Sequence, residues 1–214
     1  MGVNSTILKV WTQYVDRYGI NNGGSMIEYG NQHFWEDSKN KSPLRKYYAK
    51  SYDLVVFKHW ANLNGISHVS IDTNGKDGAL PYDLSIDLST YNKLIQAFDM
   101  GTDFGTIEHI SDQYWAWKNM YNFLKTDGIA MHVLPMVGSW KGHPSCYWRY
   151  TKEFFNELCR VCRYDVIEVE SYDNIVSPDV SIYAIYQKKE DSMFPLKDEF
   201  EFLLNYYAEG SSNG

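Results

Sequence analysis

The chain has 214 residues, 44% of them apolar and 16% aromatic, enough to fill one sizeable core and to exclude a disordered chain. Its 27 acidic residues outnumber 20 Lys and Arg, and the net charge of −7 argues against a nucleic-acid backbone as main partner, since phosphates demand a basic stripe. No run of about eighteen apolar residues occurs, so no membrane span is expected. The first residues lack a basic stretch leading into an apolar one, and the only cysteines are Cys146, Cys159 and Cys162. A cytoplasmic chain with reduced thiols is the expectation. No repeat or confident linker divides it, so 1–214 is read as a single domain.

In chain order, Ile7, Leu8, Val10, Trp11, Tyr14, Val15 and Tyr18 predict a helix over 5–18. SMIEY at 25–29 predicts a strand ending at Gly30. Ser42-Pro43 predicts a helix start, and Asn64-Gly65 its stop. HVSIDTNG at 68–75 reads as a strand ending in an acid and a turn; DLSIDLS at 83–89 and AFDMGTDFG at 97–105 read as two more. A helix follows over 112–126, with Ser111 as its cap and Gly128 as its stop, then a strand, GIAMHVLP, at 128–135. TKEFFNELCRVC at 151–162 is a helix capped by Thr151. Strands at 166–170 and 181–187 and an amphipathic helix over 196–207 complete the chain.

This alternation predicts an α/β, Rossmann-like, doubly wound sheet of about seven strands, mostly parallel, with helices on both faces and its core within about 25–188. The last two strands have no helix between them, which forces antiparallel pairing near one edge.

In such a sheet ligands bind beyond the carboxyl ends of the strands. Those ends read Glu28-Tyr29-Gly30-Asn31-Gln32, then Asp72-Thr73-Asn74-Gly75, then Asp87-Leu88, then Asp103-Phe104-Gly105-Thr106. The set suits an adenosine-containing ligand. Asp72 can accept ribose hydroxyls, Asp87 beside Leu88 can accept an exocyclic amine, and Gly30 lets the backbone approach closely. The bland alternatives are a turn glycine at 30, an Asx-turn acid at 72 and a solvent-facing acid at 87.

The stretch FDMGTDFGTIEHISDQYWAWKNMYNFLKTDGIAMHVLP (98–135) resembles the fourth-strand to fifth-strand region of class I S-adenosylmethionine (SAM)-dependent methyltransferases, including an "EH" pair. GHPSCYWRYTKEFFNELC (142–159) is similar to the segment that follows in their small-molecule branch, and SHVSIDTNG to their second strand with its ribose acid. The antiparallel ending at 166–187 fits the same strand order. The resemblance implies SAM as cofactor, with Glu28, Gly30, Asn31, Gln32, Asp72, Asp87, Leu88 and Phe104 around it. It implies methyl transfer to an oxygen or nitrogen of a small-molecule acceptor, such as a sugar; the acidic charge and the lack of a long apolar run independently speak against a nucleic-acid or membrane partner. The departure is the first motif, acid-x-Gly-x-Gly-x-Gly in the family. Here only Gly30 of its glycines survives, and Asn31 and Gln32 are expected to offer side-chain amides to the cofactor carboxylate instead.

His109 and His143, with Glu108, are the candidates for a proton acceptor, because a base near neutrality suits a hydroxyl nucleophile. Trp140, Tyr147, Trp148 and Tyr150 form either a packing layer or a substrate wall, in which Arg149 would hold an anionic group. His143-x-x-Cys146 and Cys159-x-x-Cys162 have zinc-like spacing, but the last two fall on an apolar helix stripe with Phe155 and Leu158, so no metal site is expected. The eroded glycine motif keeps a rival open, a methyltransferase-like binding or partner protein without catalysis. A nicotinamide oxidoreductase ranks last, for want of Gly-x-Gly-x-x-Gly.

Overall fold

A computed structural model describes residues 2–34, 56–138, 146–173, 180–191 and 193–210. Its first helix, α1 (Ser5–Arg17), starts where the Asn4 side chain accepts the Ile7 N–H at 2.9 Å. Ile7, Leu8, Trp11, Tyr14 and Val15 make its buried stripe. The strand β1 (Ser25–Tyr29), the helix α2 (Phe57–Leu63) and the strand β2 (Ser67–Ile71) follow. Then come β3 (Phe98–Asp103), a 3-10 turn at Ile107–His109, α3 (Gln113–Phe123) and β4 (Leu124–Pro135). The chain continues through β5 (Trp148–Tyr150), α4 (Lys152–Cys162), β6 (Tyr164–Asp173), β7 (Val180–Lys188), α5 (Lys197–Tyr207) and β8 (Ala208–Gly210).

The main sheet has six strands in the order β2-β1-β3-β4-β7-β6. β1 to β4 run parallel, and β7 is antiparallel to both its neighbours. Alternate residues of each inner strand feed two cores. Ile27, Tyr29, Ala130 and Leu134 face α3, α4 and α5, joining Trp117, Phe154, Phe155 and Phe200. Met26, Met100, Met131 and Val133 face α1 and α2, joining Trp11, Phe57 and Trp60. A strand covered on both faces needs apolar residues at nearly every position, which is why 129–135 carries no exposed side chain. Each fully buried large side chain contributes about 1.5–3 kcal/mol.

Three expectations need correction. The segment 83–89 is a series of turns, not a strand, so the main sheet has six strands rather than seven. Its apparent alternation is repeated Asp-x-Ser turn chemistry: Asp83 accepts the Ser85 N–H and Asp87 the Ser89 N–H, each at 2.8 Å. Leu84 and Leu88 are buried while Ile86 between them is exposed, a spacing of four that no strand gives. Asn119 of α3 holds this loop, accepting the Leu88 N–H at 3.1 Å and donating to the carbonyls of Ile86 at 2.8 Å and Leu84 at 3.4 Å. A single parallel bridge between Ile71 and Leu80 is what remains of a strand outside β2.

The second correction concerns α3: Asp112, not Ser111, caps it, accepting the Tyr114 N–H, and the helix passes into β4 at Leu124, ahead of Gly128. The third is an addition. β5 and β8 form a separate two-stranded antiparallel sheet, with Arg149 opposite Glu209. Three residues are too few to display a period of two, and the pairing joins segments about sixty residues apart. Of the helix expected from Ser42-Pro43 to Asn64, the part before Val56 lies outside the described residues.

Candidate functional site

The chain leaves β1 for β2 on one side and reaches β3 on the other, so the switch point of the sheet lies between the tips of β1 and β3. The register puts Tyr29 level with Ile71 and Asp103, and this brings the backbones of Gly30, Asp72 and Phe104 to one rim.

Gly30 has φ +77°, and a Cβ there would lie 2.4 Å from Thr106 Oγ1 and 2.7 Å from Gln32 Nε2. Only glycine fits. The space above it is filled by the chain itself. Gln32 Nε2 donates to the Tyr29 carbonyl at 3.2 Å and to Thr106 Oγ1 at 2.9 Å. Thr106 Oγ1 in turn donates to the Tyr29 carbonyl at 2.9 Å. Asn31 turns the other way. Its N–H donates to Asp72 Oδ2 at 3.0 Å and its side-chain amide to Asp77, while its Oδ1 is buried with no hydrogen-bond partner among the described residues. The second oxygen of Asp72 accepts the Asn74 N–H at 3.0 Å, so the Asx-turn reading of Asp72 holds alongside its rim position. The side-chain donors expected to face a ligand are thus spent on protein acceptors.

Below the rim, Glu28 is fully buried on the α2 side of β1. Its Oε2 lies 3.3 Å from His68 Nε2 and 3.4 Å from the Gln32 N–H it accepts. The imidazole contact is poorly directed, since neither His68 nitrogen makes a hydrogen bond and Glu28 Oε1 has no partner among the described residues. Burial pushes the Glu28 carboxyl above its ordinary range, against the opposing pull of His68.

At the tip of β3, Asp103 Oδ1 accepts the Thr106 and Ile107 N–H groups at 2.9 and 3.4 Å, shaping the turn. Its Oδ2 meets His132 Nδ1 at 3.1 Å, and His132 Nε2 meets the Tyr186 hydroxyl at 2.8 Å. His132 is sandwiched between Trp117 and Tyr186. This relay is closed within the core. The turn it supports carries Glu108, which is fully buried, and neither carboxylate oxygen has a hydrogen-bond partner among the described residues. His109 Nε2 is 3.5 Å from Glu108 Oε1, a contact too long and misdirected to count as one. Burial, reinforced by the nearby Asp103 charge, raises the Glu108 carboxyl to about 8. The Glu108 carbonyl accepts the Tyr147 N–H at 2.8 Å, tying the segment after β4 to this turn.

The remaining candidates separate. Asp87 is exposed in its own turn, and Leu88 is core. Phe104 packs edge-on against Phe57 in the α1–α2 core, away from the rim. Tyr147 and Arg149 are half-buried beside the turn, whereas Tyr150 is core, its hydroxyl donating to Gln113 Oε1 at 2.6 Å. Trp140 and His143 lie outside the described residues. Cys159 and Cys162 sit on the buried face of α4, their thiols pushed up by burial. Asn119 is the residue that sequence reasoning missed, and Asp103 and Thr106 figure there only as the end of a strand. Asn119 and Thr106 act on backbone groups distant in sequence, whereas Asp103 accepts N–H groups three and four residues on, the local Asp-x-x-Thr turn spacing.

No protein-family model matches the chain, and no curated protein matches it. Solved structures do. One is the 1,6-didemethyltoxoflavin-N1-methyltransferase of Burkholderia thailandensis, with its substrate and S-adenosylhomocysteine, at 11% identity and a TM-score of 0.55 over 85% of this chain and 81% of that one. A candidate sarcosine dimethylglycine methyltransferase from Galdieria sulphuraria gives 8% and 0.53 over 88% and 86%. Phosphoethanolamine N-methyltransferase 2 of Haemonchus contortus, with SAM, gives 14% and 0.52 over 85% of this chain but 53% of that one, so the chain spans about half its length. Strand order, the reversed β7 and these likenesses agree: the chain has the fold of the class I SAM-dependent methyltransferases.

Proposed function

We propose that the protein is a SAM-dependent methyltransferase acting on an oxygen or nitrogen of a small-molecule acceptor. One observation carries this reading: the switch point holds two buried hydrogen-bond acceptors that the described residues leave without a donor. Glu28 Oε1 and Asn31 Oδ1 are buried without partners among the described residues, and Asp72 stands at the end of β2. SAM brings the matching donors, an ammonium group and two ribose hydroxyls, and an unsatisfied buried acceptor costs about 1–3 kcal/mol until such a donor arrives. The residues therefore fit the group in their acceptors, and Gly30 provides the close backbone approach.

When bound, SAM supplies a methyl group activated by its own sulfonium charge. The chain's part is to bind, orient and exclude water. Glu108 is suited to hold the proton released by the acceptor, since its enclosed carboxyl sits near neutrality, with His109 and His143 as further candidates. Half-buried Tyr147 and Arg149 would border the acceptor, Arg149 pairing with an anionic group if it has one. Asp87, in its exposed turn, remains a candidate for the adenine edge, whereas the side chains of Leu88 and Phe104 are packed in the two cores.

The non-catalytic reading has one specific observation in its favour, the Gln32–Thr106 contact that fills the space over Gly30. Calorimetric titration with SAM and S-adenosylhomocysteine, with NADH as control, separates the two. Binding of the adenosyl ligands alone is expected; no binding of either at millimolar concentration would leave a partner protein as the better account.

A further inference from the structure

We infer that Gln32 is an internal stand-in for the ligand: its side-chain amide latches the tips of β1 and β3 together across the switch-point crevice, and an adenosyl ligand enters only when that amide swings out. The inference rests on the proposal that this crevice takes SAM. It concerns what the chain's own residue does there.

Four features carry it. Gln32 is nearly buried, and its Nε2 bridges the Tyr29 carbonyl on β1 and Thr106 Oγ1 beyond β3. Both groups lie in the direction of the missing Cβ of Gly30, at 2.7 Å for Nε2 and 2.4 Å for Oγ1, so the latch sits where a ligand would make its closest approach. The backbone of the latch is held independently of its side chain. The Gln32 N–H donates to Glu28 and its carbonyl accepts the Phe57 N–H at 2.9 Å from the first turn of α2. The next residue, His33, bridges to Val56 and accepts the Val3 N–H at 3.0 Å. Release is therefore a side-chain rotation about three single bonds, needing no backbone rearrangement. Finally, Thr106 is fixed through its own N–H on Asp103, which makes it the stationary half of the latch and Gln32 the moving half.

A latch and a ligand-binding amide predict opposite signs. If Gln32 competes with the ligand, its removal tightens binding by the equilibrium cost of opening. For two neutral hydrogen bonds that is about tenfold. If Gln32 instead donates to the bound cofactor, its removal weakens binding.

The test is calorimetric affinity for SAM and S-adenosylhomocysteine in wild type, Gln32→Ala and Thr106→Val, with circular dichroism to verify folding. Thr106→Val removes the stationary acceptor while leaving Gln32 in place, and it carries the test should Gln32→Ala fail to fold. The expected result is about tenfold tighter binding in Gln32→Ala and a smaller shift of the same sign in Thr106→Val. Equal or weaker binding in the variants, with measurable binding by wild type, overturns the latch and leaves the SAM proposal standing. No binding by wild type or by either variant at millimolar ligand overturns both.

Discussion

Replacing Glu108 by Gln isolates a carboxyl that burial and a neighbouring charge both push upward. In the folded protein burial and the Asp103 charge hold this group at about 8, against an ordinary 4.5. Between those values the folded state binds a proton that the unfolded chain has released. Stability contributed by Glu108 is thus fully present below about pH 4.5 and is lost as pH rises towards 8. The slope approaches about 1.4 kcal/mol per pH unit, so the loss between about pH 5.5 and 7.5 is on the order of a few kcal/mol. Gln is isosteric with the protonated acid and does not titrate. The variant should match wild type below about pH 4.5 and exceed it progressively as pH rises towards 8. Urea denaturation of both proteins across this range measures the difference directly; Glu28, also raised by burial, is present in both and cancels. A difference that stays flat with pH would refute the reasoning, because Glu108 would then be ionised in the fold and satisfied by a partner.

Asp72→Ala removes the acceptor of the Asn31 and Asn74 N–H groups and, under the proposed function, of the ribose hydroxyls; SAM affinity by calorimetry should fall about tenfold or more. Asn119→Ala leaves the Leu88 N–H and the Ile86 and Leu84 carbonyls without their partner, and should cost about 2–4 kcal/mol in urea denaturation. Gly101→Ala would place a Cβ 2.3 Å from Met120 Sδ in the core, and should lower stability by about 1–3 kcal/mol, read as a fall in melting temperature.

The parallel strands were legible because each has a short, mostly buried stretch closed by a turn or a proline. SMIEY and HVSI fall on β1 and β2 almost to the residue. Thr151 as the cap of α4 was legible for the same reason, as capping is local chemistry, and its hydroxyl accepts the Phe154 N–H at 3.1 Å. The segment 83–89 misled because two Asp-x-Ser turns imitate a period of two; what distinguishes them is Asn119, thirty residues away. The rim residues Gly30 and Asp72 could be picked out from strand ends alone. What they do to each other could not, because the bonds that fill the site join β1 to Thr106 and Asn31 to the turn after β2, pairings set by the register of a sheet not yet assembled.

The loss of the second glycine from the first motif is therefore weak evidence against ligand binding. Opening the crevice costs the two Gln32 hydrogen bonds, about 1–3 kcal/mol in total. Against this stand Glu28 Oε1 and Asn31 Oδ1, two buried acceptors without partners among the described residues. Supplying a donor to each returns about 1–3 kcal/mol apiece. Under the proposed function and the latch, the balance favours occupation by a ligand with well-placed donors, at an affinity reduced about tenfold relative to a site with glycine at position 32. A chain that had abandoned the ligand altogether would gain stability by satisfying or replacing those acceptors with apolar side chains, since nothing would then recover their desolvation cost. Under the proposed function, unpartnered acceptors on either side of a latch made of one rotatable side chain are the arrangement expected of a site that is closed when empty and still able to open.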